Sequence, residues 1–216
     1  MLIPEVPTLQ SVLKDIEPRG PKDLVRLWTV QHTDAVTQLL KGSVPLRGRE
    51  EYAYSDCAQG KRSAYKWMVG QMNERLPRQY QCHGLPVWTL PVQSPCLGDK
   101  DQVLEIQVTR ERVVFSFHSP WTRLLEIFSC MGEGDEERWP DIWSTQPYLV
   151  AGASGVDQKN GDSGNIPSEA ECRGSWEQIF DLTLARRVSD FAWDRRPFIQ
   201  ATLSQIDPCD VVRVLP

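Results

Sequence analysis

Three apolar stretches of the sequence carry amide or hydroxyl side chains that a purely structural core strand would not need. The three stretches are 25–31, 85–90 and 198–203. The first contains Thr29 and Gln31, and the last contains Gln200 and Thr202. An amide in a nonpolar cleft supplies a dipole and hydrogen bonds that can orient a bound group. We therefore identify Gln31 and Gln200 as candidate site residues, and Thr29 and Thr202 as candidate ligand-binding residues. The alternative for the two glutamines is a structural role, as hydrogen-bonded residues of their strands.

Aromatic residues near these positions form a second candidate set. The chain contains eight tryptophans, and tryptophan combines a large apolar ring with one N–H donor. Trp28 and Trp88 stand in two of the apolar stretches, whereas Tyr65 and Trp67 stand in a long helical segment. Such rings stack on a nucleobase or on an apolar peptide side chain. The alternative for each of them is a place in the hydrophobic core.

Basic residues flank the same helical segment, at Lys61, Arg62, Arg75 and Arg78. Lysine and arginine contact the phosphates of nucleotide ligands, although basic residues on a helix also commonly form its solvated face. The expected ligand is therefore a nucleotide or dinucleotide. A protein partner is the alternative, and nucleic acid is not excluded.

Other catalytic and metal-binding patterns are missing from the sequence. The six cysteines include no Cys-x-x-Cys pair, and there are three histidines in all, so we expect no metal. His118 lies near two serines but has no evident third partner for a Ser-His triad. Gly-Lys followed by Ser or Thr does not occur, which excludes a P-loop.

The elements that would position these residues mix strands and helices in an irregular order. Apolar runs and alternation predict strands, which in chain order cover 24–30, 85–92, 102–108, 113–117, 198–206 and 210–215. Amphipathic spacing predicts helices at 34–41 and 62–76. The short link at 109–112 predicts a hairpin. This order is typical of an α+β fold with a mixed, mostly antiparallel sheet flanked by helices.

The length of the chain, 216 residues, is that of one domain. We expect a loosely attached N-terminal arm over 1–23, which contains four prolines, and a single domain over 24–216. Residues 150–170, roughly, are rich in Gly, Ser, Asp and Asn, which predicts a flexible, low-complexity insertion.

Composition and charge restrict the compartment and the partners. A net charge of −5 argues against a general nucleic-acid-binding protein, whose footprint would be basic. The N-terminus lacks the basic and apolar regions of a signal peptide, and no apolar run approaches the length of a membrane span. We therefore expect a cytoplasmic protein with reduced cysteines and no membrane partner.

Several motifs in a fixed order resemble those of a bacterial family known only as domain of unknown function 3841. These motifs are Leu27-Trp28-Thr29-Val30-Gln31, Tyr65-x-Trp67-Met68-x-x-Gln71-Met72, Pro86-Val87-Trp88, Val103-Leu104-Glu105-Ile106-x-Val108, Ser175-Trp176-Glu177-x-Ile179-Phe180-Asp181 and Ile199-Gln200-Ala201-Thr202. The resemblance covers roughly 24–214. The family name itself implies no activity.

The order of the elements is also distantly similar to that of ADP-ribosyltransferase-type domains. That likeness implies that Trp28, Thr29 and Gln31 would hold a dinucleotide, with NAD as the cofactor. It further implies that Tyr65 and Trp88 would form the aromatic walls around the nicotinamide. Gln200 would orient the acceptor, and the likeness thus makes Gln200 and Gln31 the candidate catalytic residues. An oxocarbenium-like transition state needs an electron-rich partner and a dry pocket, and a glutamine supplies only a dipole.

Two functions follow from these observations. The first is a nucleotide- or dinucleotide-handling domain with a Trp-rich cleft, which as an enzyme would be a NAD-using transferase. The alternative is a non-catalytic module that binds protein or nucleic acid. Convergence of Gln31 and Gln200 on one cleft would favour the first, and a dry core that encloses all the tryptophans would favour the second.

Overall fold

A computed structural model describes residues 9–17, 20, 23–42, 44–48, 60–93, 98–118, 177–182 and 199–215. The α-helices in this part are α1 (Leu9–Ile16), α2 (Thr33–Gly42) and α3 (Gly60–Arg75). The strands are β1 (Leu24–His32), β2 (Val87–Thr89), β3 (Asp101–Thr109), β4 (Val114–Phe117), β5 (Ile199–Leu203) and β6 (Val211–Leu215). This mixture confirms the α+β class. The insertion predicted at 150–170 lies outside the described residues.

The described strands form two small sheets, with the orders β1-β3-β6 and β2-β5-β4. Their pairings are all antiparallel. The hairpin predicted at 109–112 is wrong, because β3 and β4 belong to different sheets. A 3₁₀ helix at Arg110–Arg112 separates the two strands and directs the chain away from the first sheet.

The two sheets meet where β1 approaches the end of β2. Trp28 and Leu90 exchange both of their backbone hydrogen bonds, with N···O distances of 2.8 and 2.7 Å. The hydroxyl of Thr29 adds a bond, because it donates to the carbonyl oxygen of Trp88 at 2.8 Å. Residues paired in this way project to the same side. The two sheets therefore share one inner face and one outer face.

The inner face carries the main hydrophobic core. Alternate residues of three strands point into it, namely Val25, Leu27, Leu104, Ile106, Val108, Ile199, Ala201 and Leu203. Burial of one such aliphatic side chain contributes about 1.5–3 kcal/mol. Helix α1 adds Val12, Leu13 and Ile16, which lie on one face of the helix. This part of the predicted N-terminal arm is therefore packed into the domain and is not loosely attached.

A smaller core lies on the outer face of the β2-β5-β4 sheet, beneath helix α3. Ala64, Met68 and Met72 are fully buried there, and their spacing of four residues places them along one stripe of the helix. They pack with Val114 of β4 and with Ile179. This contact holds α3 over the outer face of the sheet.

Two cysteines provide a chemical test of this packing. Cys82 is buried and its Sγ donates to the carbonyl oxygen of Gly84 at 3.1 Å, whereas Cys209 is exposed. Burial raises the pKa of the Cys82 thiol, and the thiolate is the reactive form. We expect iodoacetamide at pH 8 to alkylate Cys209 at least roughly tenfold faster than Cys82, measured by peptide mass spectrometry. If Cys82 reacts as fast in the native protein as in denaturant, the Cys82 thiol is not buried in the native state.

Candidate functional site

Three of the predicted site residues share the outer face of the β2-β5-β4 sheet. Trp88 lies directly opposite Thr202 in the register of β2 and β5. Gln200 precedes Thr202 by two residues and therefore projects to the same side of the sheet. The residues that alternate with them on β5, Ala201 and Leu203, belong to the inner core. The fold thus brings Trp88, Thr202 and Gln200 together.

A buried hydrogen bond connects Gln200 to a residue that sequence reasoning missed. The Nε2 of Gln200 donates to the Oγ of Ser116 at 3.1 Å, and the two residues are 3 % and 0 % exposed. Within the described part of the chain, the Gln200 side chain makes no other hydrogen bond, so its carbonyl oxygen and second N–H remain unused. Ser116 shows the signal that marked Thr202, a hydroxyl between apolar neighbours of a short strand.

Thr202 contributes less hydrogen-bonding capacity than Gln200. Its hydroxyl donates to the carbonyl oxygen of Val114 at 3.1 Å, and the residue is fully buried. That bond links β5 to β4 and occupies the only proton the hydroxyl can donate. Thr202 therefore mainly stabilises the sheet, and Gln200 is the better candidate for contact with a ligand.

The aromatic residues form two separate ring contacts. Tyr65 and Trp88 meet edge to face, with ring centroids 6.2 Å apart and an interplanar angle of 69°. Trp67 instead lies beside Phe180, with centroids 5.9 Å apart. Two residues apart on a helix correspond to about 200° of rotation, so Tyr65 and Trp67 point to different sides of α3. Tyr65 and Trp88 therefore form an aromatic pair on the face that carries Gln200.

Trp28 joins the same outer face from the other sheet. It is paired with Leu90, and it alternates with the inward-facing Leu27. Its Nε1 is buried and has no hydrogen-bond partner among the described residues. An unsatisfied buried donor lowers the stability of the folded state by about 1–3 kcal/mol. Stability alone therefore does not explain a tryptophan at this position.

Thr29 and Gln31 belong to the inner side of β1. They alternate with Trp28 and follow Val25 and Leu27, which face the inner core. The Nε2 of Gln31 donates to the Oγ1 of Thr29 at 2.8 Å, and Thr29 in turn donates to Trp88. These two side chains brace the junction of the sheets. The fold does not bring Gln31 to the face that carries Gln200.

A buried carboxylate lies beside Trp28 on the outer face. Glu105 is paired with Trp28 in the register of β1 and β3, and its side chain is 4 % exposed. The Nε of Arg213 donates to its Oε2 at 2.9 Å, and the Nε of Arg26 lies 3.3 Å from its Oε1. Alternation along β3 places Glu105 on the face opposite the main core. From the sequence alone, a glutamate at such a position is expected to be exposed to solvent. Only the strand register shows that the two arginines lie beside Glu105.

The register connects these residues into one row across both sheets. Glu105 lies between Arg213 of β6 and Trp28 of β1, and Trp28 lies against Leu90 at the end of β2. The β2–β5 register, extended by one residue, places Gln200 beside Leu90. Paired residues are about 4.5–5.5 Å apart at Cα. We name this series of residues the outer row.

The described residues contain no group of three His, Cys, Asp or Glu side chains that could hold a metal ion. The same residues include no helix that is long and apolar enough to cross a membrane. The side chains of the outer row can form hydrogen bonds, aromatic contacts and ion pairs.

The model of one protein family matches residues 26–211, which is most of the chain, and its description is domain of unknown function (DUF3841). The chain belongs to this family. The matched span of the DUF3841 domain includes every predicted site residue together with Glu105 and Ser116. Comparisons with curated proteins and with solved structures found no match. The likeness to ADP-ribosyltransferases therefore gains no support from them.

Proposed function

We propose that this DUF3841 domain binds a nucleotide or dinucleotide on the outer face. The observation that carries the proposal is the buried Gln200–Ser116 pair, which lies on the same face as the Tyr65–Trp88 ring pair. A buried amide whose second N–H and carbonyl oxygen bind no other described residue matches the edge of a nucleobase. The proposal includes the cytoplasmic location expected from the sequence.

The aromatic groups of this face supply the second part of the argument. Stacking of a base on an aromatic side chain is worth about 1–3 kcal/mol and tolerates any base. Trp28 and Trp88 reach the face from neighbouring strands, because Trp28 is paired with Leu90, two residues beyond Trp88. A planar ligand stacked on Trp28 would lie along the same row as Leu90 and Gln200.

A more specific version of this proposal is that the domain catalyses a transfer reaction that uses NAD. In it, Gln200 would orient the acceptor through its amide dipole. Gln31 takes no part in this form, because its amide is bonded to Thr29 on the inner side of β1. NAD is accordingly the first dinucleotide that we would test.

A thermal-shift screen of the purified full chain tests the proposal. We expect a nucleotide or dinucleotide, NAD included, to stabilise the wild type by about 2.7 kcal/mol at 100 times its dissociation constant. Gln200→Ala should lose this shift, whereas Gln31→Ala should retain it, because the two amides lie on opposite faces.

Two results would count against the proposal. If no nucleotide or dinucleotide raises the melting temperature of the wild type, nucleotide binding is wrong, and a pull-down for a protein partner becomes the better experiment. If Gln31→Ala abolishes the shift and Gln200→Ala retains it, the ligand binds elsewhere than on the outer face.

A further inference from the structure

The Arg26–Glu105–Arg213 cluster combines a buried anion with two exposed cations. The Glu105 side chain is 4 % exposed, whereas those of Arg26 and Arg213 are 60 % and 57 % exposed. The carboxylate is thus covered, and both guanidinium groups extend from it toward solvent. With two positive charges and one negative charge, the cluster carries a net charge of +1.

The hydrogen bonds leave donors of both arginines unused. Arg213 binds one carboxylate oxygen through Nε and one terminal nitrogen, and Arg26 approaches the other oxygen through Nε. A guanidinium has five N–H donors in a planar fork. Among the described residues no other side chain accepts from these two forks, so most of their donors face outward.

The position of the cluster relates it to the aromatic site. Glu105 is the direct cross-strand partner of Trp28, and Arg26 lies two residues before Trp28 on the same face of β1. An anion held by the guanidinium groups would therefore lie on the face that carries Trp28, and Glu105 and Trp28 are about one strand spacing, roughly 5 Å, apart at Cα. A phosphate and a base are joined at a comparable separation in a nucleotide.

We propose that Arg26 and Arg213, oriented by Glu105, form the phosphate subsite of the nucleotide site on the outer face. This inference rests on the proposed function and narrows the ligand class to phosphorylated nucleosides. Planar guanidinium forks bind phosphate through two parallel hydrogen bonds, which a lysine cannot reproduce. Glu105 is a positioning residue, because it acts on the phosphate through the arginines.

Isothermal titration of the full chain with ribonucleosides, their monophosphates and NAD tests the subsite. We expect the monophosphate to bind roughly tenfold or more tightly than its nucleoside, and this advantage to shrink as the salt concentration rises. The double variant Arg26→Gln/Arg213→Gln should bind both ligands equally, with the nucleoside affinity of the wild type. Lys14→Gln is the control, since it removes one positive charge from an exposed position of α1.

Glu105→Gln separates orientation from simple charge attraction. This change raises the net charge of the cluster to +2, so charge attraction alone would tighten monophosphate binding. If Glu105 positions the two forks, the same variant should instead bind the monophosphate several-fold more weakly and the nucleoside normally. Arg213→Lys should also weaken monophosphate binding, because it retains the charge and loses the fork.

The outcomes distinguish this inference from the proposed function. If the wild type binds nucleoside and monophosphate equally, and the double variant does the same, the subsite is wrong and the nucleotide site stands. If the wild type binds no nucleoside, monophosphate or dinucleotide, the proposed function fails and the subsite fails with it. If the double variant does not fold, Arg213→Lys and Glu105→Gln decide the question, and tighter binding by Glu105→Gln would overturn the positioning role.

Discussion

Replacing Arg112 with alanine is expected to lower the free energy of unfolding by about 3–5 kcal/mol. Both terminal nitrogens of Arg112 donate to Asp210, at 2.6 and 2.7 Å, and one of them also donates to Asp207 at 2.9 Å. Asp210 is 5 % exposed. Removal of the arginine would leave a buried carboxylate without its counter-ion, and the desolvation of that charge is no longer offset.

The pH dependence of this effect follows from the pKa of Arg112. Burial by itself lowers that pKa, but the hydrogen bonds and charges of Asp210 and Asp207 outweigh burial, and the net shift is upward. A raised pKa in the folded state means that the arginine contributes its full stability below its ordinary pKa. The contribution is lost only when the pH rises through the raised value, so the loss caused by Arg112→Ala should be equal at pH 6 and pH 8.

Urea denaturation of the wild type and two variants measures this effect. The control is Asp34→Ala, because Asp34 is exposed, its carboxylate lies 3.4 Å from the Nδ1 of His32, and even a charged pair at such an exposed position contributes only about 0–1 kcal/mol. A loss below about 1 kcal/mol for Arg112→Ala would mean that the buried pair does not hold β6 and its preceding turn in place.

The substitution Gly48→Ala, which adds a single methyl group, is expected to lower the free energy of unfolding by about 1–3 kcal/mol. A Cβ at Gly48 would lie 2.5 Å from the carbonyl oxygen of Pro86 and 2.8 Å from the carbonyl oxygen of Leu85. Gly48 and Leu85 form an isolated bridge just before β2. Because the obstructing atoms belong to the backbone, Gly48→Ala must displace the segment that leads to Trp88.

Gly70→Ala is the matched control for this change. Gly70 lies within α3, and a Cβ there would meet no atom within 4 Å. In a helix interior, alanine is favoured over glycine by roughly 0.5–1 kcal/mol, so this variant should be stabilised. The two alanine variants should therefore move the urea midpoint in opposite directions. If Gly48→Ala is as stable as the wild type, the close approach of position 48 to Leu85 and Pro86 is wrong.

Local patterns in the sequence located most of the described elements to within a few residues. Strand β3 was predictable because Leu104, Ile106 and Val108 alternate with polar or outward-facing residues. Helix α3 was predictable because its apolar residues recur at helical spacing and Pro77 follows its end. Both signals arise from the periodicity of a single element, which requires no knowledge of its neighbours.

The candidate site was only partly predictable for the same reason. Gln200, Trp88 and Tyr65 stand out as polar or aromatic residues in distinctive local contexts, and the fold places them on one face. Ser116 and Glu105 acquire their significance from partners that are far away in the chain, since Ser116 is 84 residues from Gln200. Such contacts depend on strand pairing, which sequence periodicity does not specify.

The amino-acid sequence by itself determined the α+β class, the strands and helices that carry the polar and aromatic residues, and membership of the DUF3841 family. The tertiary structure alone decided which of these residues meet. It separated Gln31 from Gln200, because alternation along β1 and β5 sends them to opposite faces. It also brought Glu105 together with Arg26 and Arg213, because antiparallel pairing aligns three strands. The sequences of these strands do not indicate that they pair.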